Sequence, residues 1–373
     1  MRLRNWWLAG IAAAALGATG PAGAQVTTSD PDFPRGRISG YVFGDFYYNL
    51  TGNPRHAYNS SGADSGRPSI DGATSSNGTP NVTTKDLNGI LIRRVYFQLD
   101  NDLSIKFSTR FRLDADSKSL TSDGKIGVAV RNAYLQVKRV YPGGNLFFGL
   151  IPTPTWETRE EFWGYRPIEK TIADFRGLGQ SQDLGVGLKG SVDSNKKIQY
   201  AAVIGNGLGQ KPETNRYKKL YLAVPINQTG VVHIEPYIDY EPGPNGAESI
   251  TRKIAAGIDI RQGLLGVEVL DRLNHMPGAP TAQPVGMSVF ARGRPIGKLA
   301  WYLRYDRWQP NTRLTNRIDS DLYIGGLDWE PYKDVHFMPN VEATQYRARG
   351  TAVAPPHHDL QARVTVYYRF SKP

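Results

Sequence analysis

Along most of the chain, apolar and polar residues alternate with a period of two in segments of about 8 to 12 residues, the pattern of half-buried strands. In Leu103–Asp114, one face carries Leu103, Ile105, Phe107, Thr109, Phe111 and Leu113, and the other carries Ser104, Lys106, Ser108, Arg110, Arg112 and Asp114. Leu360–Phe370 repeats the pattern with an apolar face ending in two aromatics, Tyr368 and Phe370, as for a strand entering a bilayer at an aromatic girdle. Gly, Pro, Asn, Asp and Ser separate the segments, and no amphipathic helix of comparable quality is present.

Marking every such segment predicts sixteen strands. The first eight are Arg37–Tyr48, Leu91–Asp100, Leu103–Asp114, Val128–Lys138, Leu146–Ile151, Leu184–Ser191, Ile198–Asn206 and Lys219–Val224. The rest are Val231–Tyr240, Ile250–Arg261, Leu264–Asp271, Val285–Arg294, Lys298–Trp308, Asp321–Trp329, Val335–Tyr346 and Asp359–Phe370. Connections after odd strands are long, as at Asn49–Asn88, Ala115–Gly127 and Pro152–Asp183. Those after even strands are tight, as at Asn101-Asp102 and Gln262-Gly263. An even count with loops on one rim and turns on the other predicts an all-β fold: a 16-stranded antiparallel transmembrane barrel with short periplasmic turns and long extracellular loops. Closure follows because a strand in hydrocarbon cannot leave its amides unpaired. Sixteen strands enclose a bore too wide for side chains to fill, so the expected product is a water-filled channel.

Composition narrows this picture. Mean hydropathy is -0.43, and the one long apolar run is at the N-terminus. There Arg2 and Arg4 precede the apolar stretch Trp6–Ala18, and Ala22-Gly23-Ala24 forms a small-residue cleavage site. Residues 1–24 are therefore expected to be a secretory signal peptide, cleaved between Ala24 and Gln25, with the barrel over 25–373. The absence of Cys excludes disulfides, thiolate metal sites and a cysteine nucleophile. With 45 Lys and Arg against 34 Asp and Glu, the formal charge is +11. That charge admits anions, anionic lipid or nucleic acid as partners, and export argues against nucleic acid.

Placing each polar face inward gives a lumen rich in cations: Arg94, Lys106, Arg110, Arg112, Lys138, Lys189, Lys253, Arg292, Arg294, Lys298, Arg304, Arg363 and Arg369. Asp45, Asp100, Asp114, Glu235, Asp239, Asp259, Glu342 and Asp359 share that face. Two readings stand side by side: rings of cations that favour small anionic solutes, or charges that pair with the carboxylates and merely hydrate the wall. The third long loop contains Trp156-Glu157-Thr158-Arg159-Glu160-Glu161-Phe162-Trp163. Its aromatics predict that it folds into the bore, with Arg159, Glu160, Glu161, Arg166 and Lys170 at the constriction, the alternative being an extracellular loop packed at a subunit interface. The six His show no metal-binding spacing and no nucleophile motif surrounds a Ser, so neither an enzyme nor a cofactor is expected.

One family shares several of these features. Arg93-Arg94, Gly149 followed by Pro152 and Pro154 before Glu157, the stretch Tyr165–Asp174, Asp183-Leu184-Gly185-Val186-Gly187-Leu188-Lys189-Gly190 and Gly205-Asn206-Gly207 resemble the phosphate-selective porin O and P family of Gram-negative outer membranes. The resemblance implies a homotrimer of sixteen-stranded barrels in contact with outer-membrane lipid and lipopolysaccharide, with the third loop folded inward. It also implies inward Arg and Lys that pass an anion, so the solute is expected to be a small anion in general or phosphate in particular. The remaining alternative is a structural or adhesion barrel plugged by its own loops.

Overall fold

The computed structural model describes residues 33–52, 85–116, 125–155, 157–227, 231–350 and 358–372. The expected leader with Ala24 and Gln25, and most of the first long loop, lie outside them.

Sixteen strands form one closed antiparallel barrel in which each pairs with its sequence neighbours and the last returns to the first. The first half comprises β1 (Arg35–Thr51), β2 (Asn88–Asp102), β3 (Phe107–Asp116), β4 (Ala129–Tyr141), β5 (Gly144–Pro152), β6 (Gln182–Ser191), β7 (Gln199–Gly205) and β8 (Lys219–Ala223). The second comprises β9 (Val232–Pro242), β10 (Glu248–Ile260), β11 (Gly263–His275), β12 (Val285–Ile296), β13 (Leu299–Gln309), β14 (Arg317–Tyr332), β15 (Val335–Arg349) and β16 (Asp359–Lys372). Each expected segment corresponds to one strand. Closure runs from Ile38 opposite Lys372 to Thr51 opposite Leu360, so no edge amides remain at the seam.

Alternation places the two faces as expected. On β13, Leu303 is 57% exposed on the outer face, while its neighbours Tyr302 and Arg304 are buried inside. Ile254, Ile258, Leu265, Val269, Val289, Val341, Val364 and Val366 continue this exposed apolar belt. Trp329 and Phe337 lie against each other near the turn rim, with ring centroids 5.9 Å apart. The loop and turn rims also alternate, except that β9 and β10 are joined by the short connection 243–247.

Two departures from period two matter for the lumen. Phe43 pairs with Arg94 but Gly44 with Ile92, so Arg93 is an extra residue in β2. Likewise Arg112 pairs with Asn132 and Leu113 with Val130, which makes Arg131 an extra residue in β4. Such bulges re-aim a side chain, and both arginines contact inward-facing carboxylates, Asp45 and Asp114. Gly44, opposite the first bulge, is required there because a Cβ would lie 2.3 Å from the Leu91 carbonyl oxygen.

The β2–β3 turn also differs from expectation. Asn101 and Asp102 remain in β2, paired with Thr109 and Ser108, and the chain reverses over 103–106. The Ser104 hydroxyl explains the shift, since it accepts hydrogen bonds from the amides of Lys106 (3.2 Å) and Phe107 (3.1 Å). Lys106 is consequently an exposed turn residue and not part of the wall, and Lys298 similarly precedes β13. Ser104→Ala is expected to lower stability by about 1 kcal/mol, measurable as a reduced urea midpoint with unchanged barrel circular dichroism.

Candidate functional site

The lumen is built from two surfaces, a loop and a wall. The loop, 153–181, leaves β5 and carries two short helices, α1 (Glu157–Trp163) and α2 (Ile172–Phe175), before entering β6. It lies inside the barrel, as its aromatics predicted. Trp163 is 1% exposed and, with Tyr165 and Ile168, packs on the inward residues Leu264, Phe290, Tyr302, Leu322, Ile324 and Met338 of β11–β15. Ile172, Ala173 and Leu178 form a second contact with Leu270 and Trp308. The apolar inner wall beneath the loop was not anticipated, because polar residues had been assigned to every inward face. Its signal is the run Leu322-Tyr323-Ile324, apolar on both faces as in strands buried on both sides.

Wall cations then fix the loop by donating to its backbone carbonyls. Arg292 holds the C-terminal end of α1, donating to the Phe162 carbonyl at 3.0 Å and to that of Glu161 at 3.4 Å. A guanidinium is favoured at such a helix end. Arg304 donates to the Lys170 carbonyl and Lys253 to that of Thr155, while Lys189 donates at 2.9 Å to that of Pro152, the last residue of β5 before the loop. Arg93 reaches the carbonyls of Pro167 and Ile168, the latter at 3.0 Å, while its Nε lies 2.7 Å from Asp45. Arg363 is buried against Glu342 (2.7 Å) and Asn340 (2.9 Å).

Several expected pore-lining cations are therefore loop anchors or parts of buried pairs. Arg292 and Arg304 face inward but bind loop carbonyls, Lys189 binds the carbonyl at the end of β5 from which the loop departs, and Arg363 is almost inaccessible at 3% exposure. Alternation places these side chains on the inward face but cannot show that a loop covers them.

The loop's other face looks across the bore. A cavity of about 700 Å³ separates Glu160, Glu161, Gly164 and Arg166 from Tyr41, Phe43, Arg110, Arg112 and Tyr367 of the wall. Arg166 pairs with Glu160 at 3.0 Å and approaches Asp174 at 3.8 Å, as does Lys170. Burial alone would raise the Asp174 carboxyl, but the Lys170 and Arg166 cations outweigh it and hold it below the usual carboxylate range. Of the residues expected at a constriction, Glu160, Glu161 and Arg166 border this cavity, and Lys170 is drawn toward Asp174. Arg159 lies on α1.

Opposite the loop stands a column of arginines. Arg94 contacts Asp116 at 2.9 Å and Asp114 at 3.4 Å, and Arg131 shares Asp114 at 3.5 Å. Arg110 pairs with Asp100 at 2.6 Å. Toward the turn rim, Lys138 pairs with Asp102. Arg112 differs from these, because its Nε donates to the neutral Gln98 amide oxygen at 2.6 Å and its guanidinium stacks over Tyr96. Among the described residues it has no carboxylate partner. Five guanidiniums, Arg37, Arg94, Arg110, Arg112 and Arg131, therefore stand against three carboxylates, with Asp100 shared between Arg110 and Arg37 (3.0 Å), and Arg112 is the one of the five that contacts no carboxylate among the described residues.

No protein-family model and no curated protein matches the chain. Solved structures do. The outer membrane channel DcaP of Acinetobacter baumannii gives a TM-score of 0.63 at 12% identity, covering 90% of this chain and 97% of that one. The chain has the porin fold. An anion-selective porin from Comamonas acidovorans gives a TM-score of 0.61 at 10% identity, covering 90% of this chain and all of that one. OmpF of Salmonella typhi, in complex with daunomycin, gives 0.59 at 11% identity over 91% of this chain and 99% of that one.

Proposed function

We propose that this porin-fold barrel resides in a bacterial outer membrane as a passive, modestly anion-preferring diffusion channel for small solutes. The observation that carries the proposal is the opening between loop and wall, where Arg112 faces a cavity of about 700 Å³ with no carboxylate partner among the described residues. Fixed positive charge at a narrow point raises the local anion concentration. The preference is modest because Arg94, Arg110 and Arg131 each pair with a carboxylate on an adjacent strand. Arg110 and Arg112 line the conduction path, with Glu160, Glu161 and Arg166 on the opposite side.

The remaining features belong to the same proposal. The exposed apolar belt supports contact with membrane lipid, and a leader cleaved between Ala24 and Gln25 would deliver the chain for export. A homotrimer is carried over from the resemblance to the O and P family. A phosphate-specific channel is the narrower alternative, and the engagement of Lys170 with Asp174 favours the general one.

Planar bilayers with a salt gradient provide the test. Purified protein is expected to give steady open current and a zero-current potential of anion-preferring sign. A cation-preferring or null potential would remove the anion preference, and insertion without current would leave a plugged barrel. Block of chloride current by low phosphate concentrations would identify an internal phosphate site and replace the general channel by the specific one.

A further inference from the structure

A second charged cluster lies outside the lumen, on the outer face of β13, β14 and β15. Register identifies that face: Tyr305, Arg307 and Gln309 share it with Asp319, Asp321 and Tyr323, and with Gln345, Arg347 and Arg349. The inward alternates Asp306, Leu322 and Tyr346 are buried on the opposite side. The cluster sits at the ends of β13 and β15 and the start of β14, on the rim opposite the N-terminus of β1 and the C-terminus of β16.

Four arginines converge there on two aspartates. Arg317 and Arg349 contact Asp319 at 2.8 and 3.1 Å, Arg347 contacts Asp321 at 2.7 Å, and Arg307 lies 3.3 Å from Asp321 and 3.7 Å from Asp319. Both Asp side chains are 1% exposed, whereas those of Arg347 and Arg349 are 49% and 48% exposed. The carboxylates are thus covered and fix the guanidiniums, leaving a net charge of two on an outward surface. Leu303, Tyr323 and Val341 form the exposed apolar surface next to it along the strands. By contrast, the outward pair Arg252–Asp271 is balanced one to one.

We infer that this cluster is a binding site for the phosphate groups of a phosphorylated membrane lipid in the leaflet at the loop rim. The inference rests on the membrane location proposed above. At the boundary between an apolar belt and water, lipid phosphates occupy the same depth as the guanidiniums, and planar Arg groups recognise phosphate through paired N–H donors. The two buried aspartates hold those donors in place before a lipid arrives, lowering the entropy lost on binding.

Native mass spectrometry of the detergent-solubilised full-length protein, titrated separately with diphosphoryl lipid A, monophosphoryl lipid A and phosphatidylglycerol, tests the assignment. R347Q/R349Q keeps Arg307 and Arg317 on the aspartates, so the barrel is expected to fold normally. Diphosphoryl lipid A is expected to bind the parent protein, and the double variant is expected to bind it at least about tenfold more weakly. Equal losses for phosphatidylglycerol would support the phosphate site and identify an ordinary phospholipid as its source. Undiminished binding of all three lipids to the variant would overturn the site. Loss of oligomer with lipid binding per subunit unchanged would also overturn it, by making the cluster a subunit contact. Single-channel conductance is expected to be the same in both proteins. Its absence from both would defeat the channel proposal without touching the lipid measurement.

Discussion

Charge reversal in Arg112→Glu is expected to cut the anion preference of the open channel about tenfold, while the neutralisation Arg110→Gln, which leaves Asp100 to Arg37, cuts it only about threefold. The two residues share one face of β3 and both border the cavity. Their partners separate them: Arg110 has Asp100 at 2.6 Å, whereas Arg112 has the uncharged Gln98. An anion passing about 6 Å from a unit charge gains about 0.7 kcal/mol at the dielectric constant of water. Reversal removes that attraction and adds an equal repulsion, a change of about 1.4 kcal/mol. Zero-current potentials of both variants at low ionic strength provide the measurement, because salt screens the effect. If Arg110→Gln shifted the potential as far as Arg112→Glu, the conduction path would run closer to Arg110 than to Arg112. If neither moved it, the current would bypass this face.

The sixteen strands were legible because the outer surface of the barrel must be apolar and the inner surface can be polar, which imposes period two on each strand. Leu303 beside Arg304 and Val364 beside Arg363 show that constraint directly. The bulges at Arg93 and Arg131 were not legible, since one additional residue shifts the phase without altering composition. Arg93 and Arg94 appear as neighbours that should point to opposite faces, yet both approach inward carboxylates. The roles of Arg292 and Arg304 were hidden for a different reason. Their inward direction follows from alternation, but their partners are backbone carbonyls more than a hundred residues away, and a carbonyl leaves no trace in the side-chain sequence. The loop's inward path could be anticipated from Trp163 and Phe162. The surface receiving it required recognising that Leu322 and Tyr302 are apolar residues on a face otherwise assigned to water.

Arg93 joins the two halves of the site, and Arg93→Met is expected to have the largest effect on the barrel itself. It contacts Asp45 within the wall and the Pro167 and Ile168 carbonyls of the loop, and all of this is buried. Methionine retains much of the side-chain volume but leaves the Asp45 charge without its guanidinium, although Thr365 still donates to that carboxylate at 2.6 Å. Breaking a buried pair from one side costs about 3–5 kcal/mol, so urea unfolding followed by tryptophan fluorescence should show a large loss of stability. The loop loses an anchor at the same time, and single-channel records are expected to show higher conductance with more current noise. The double variant Arg93→Met with Asp45→Asn separates these effects. Removing the stranded charge should recover much of the stability, because a neutral amide is far less costly to bury than an unpaired carboxylate. It does not restore donors to the loop carbonyls, so conductance and noise should remain high. Parent-like conductance in both variants would mean that Arg292, Arg304 and the apolar contacts of Trp163 hold the loop unaided. Unrecovered stability in the double variant would instead place the cost of losing Arg93 in the loop contacts, and not in Asp45.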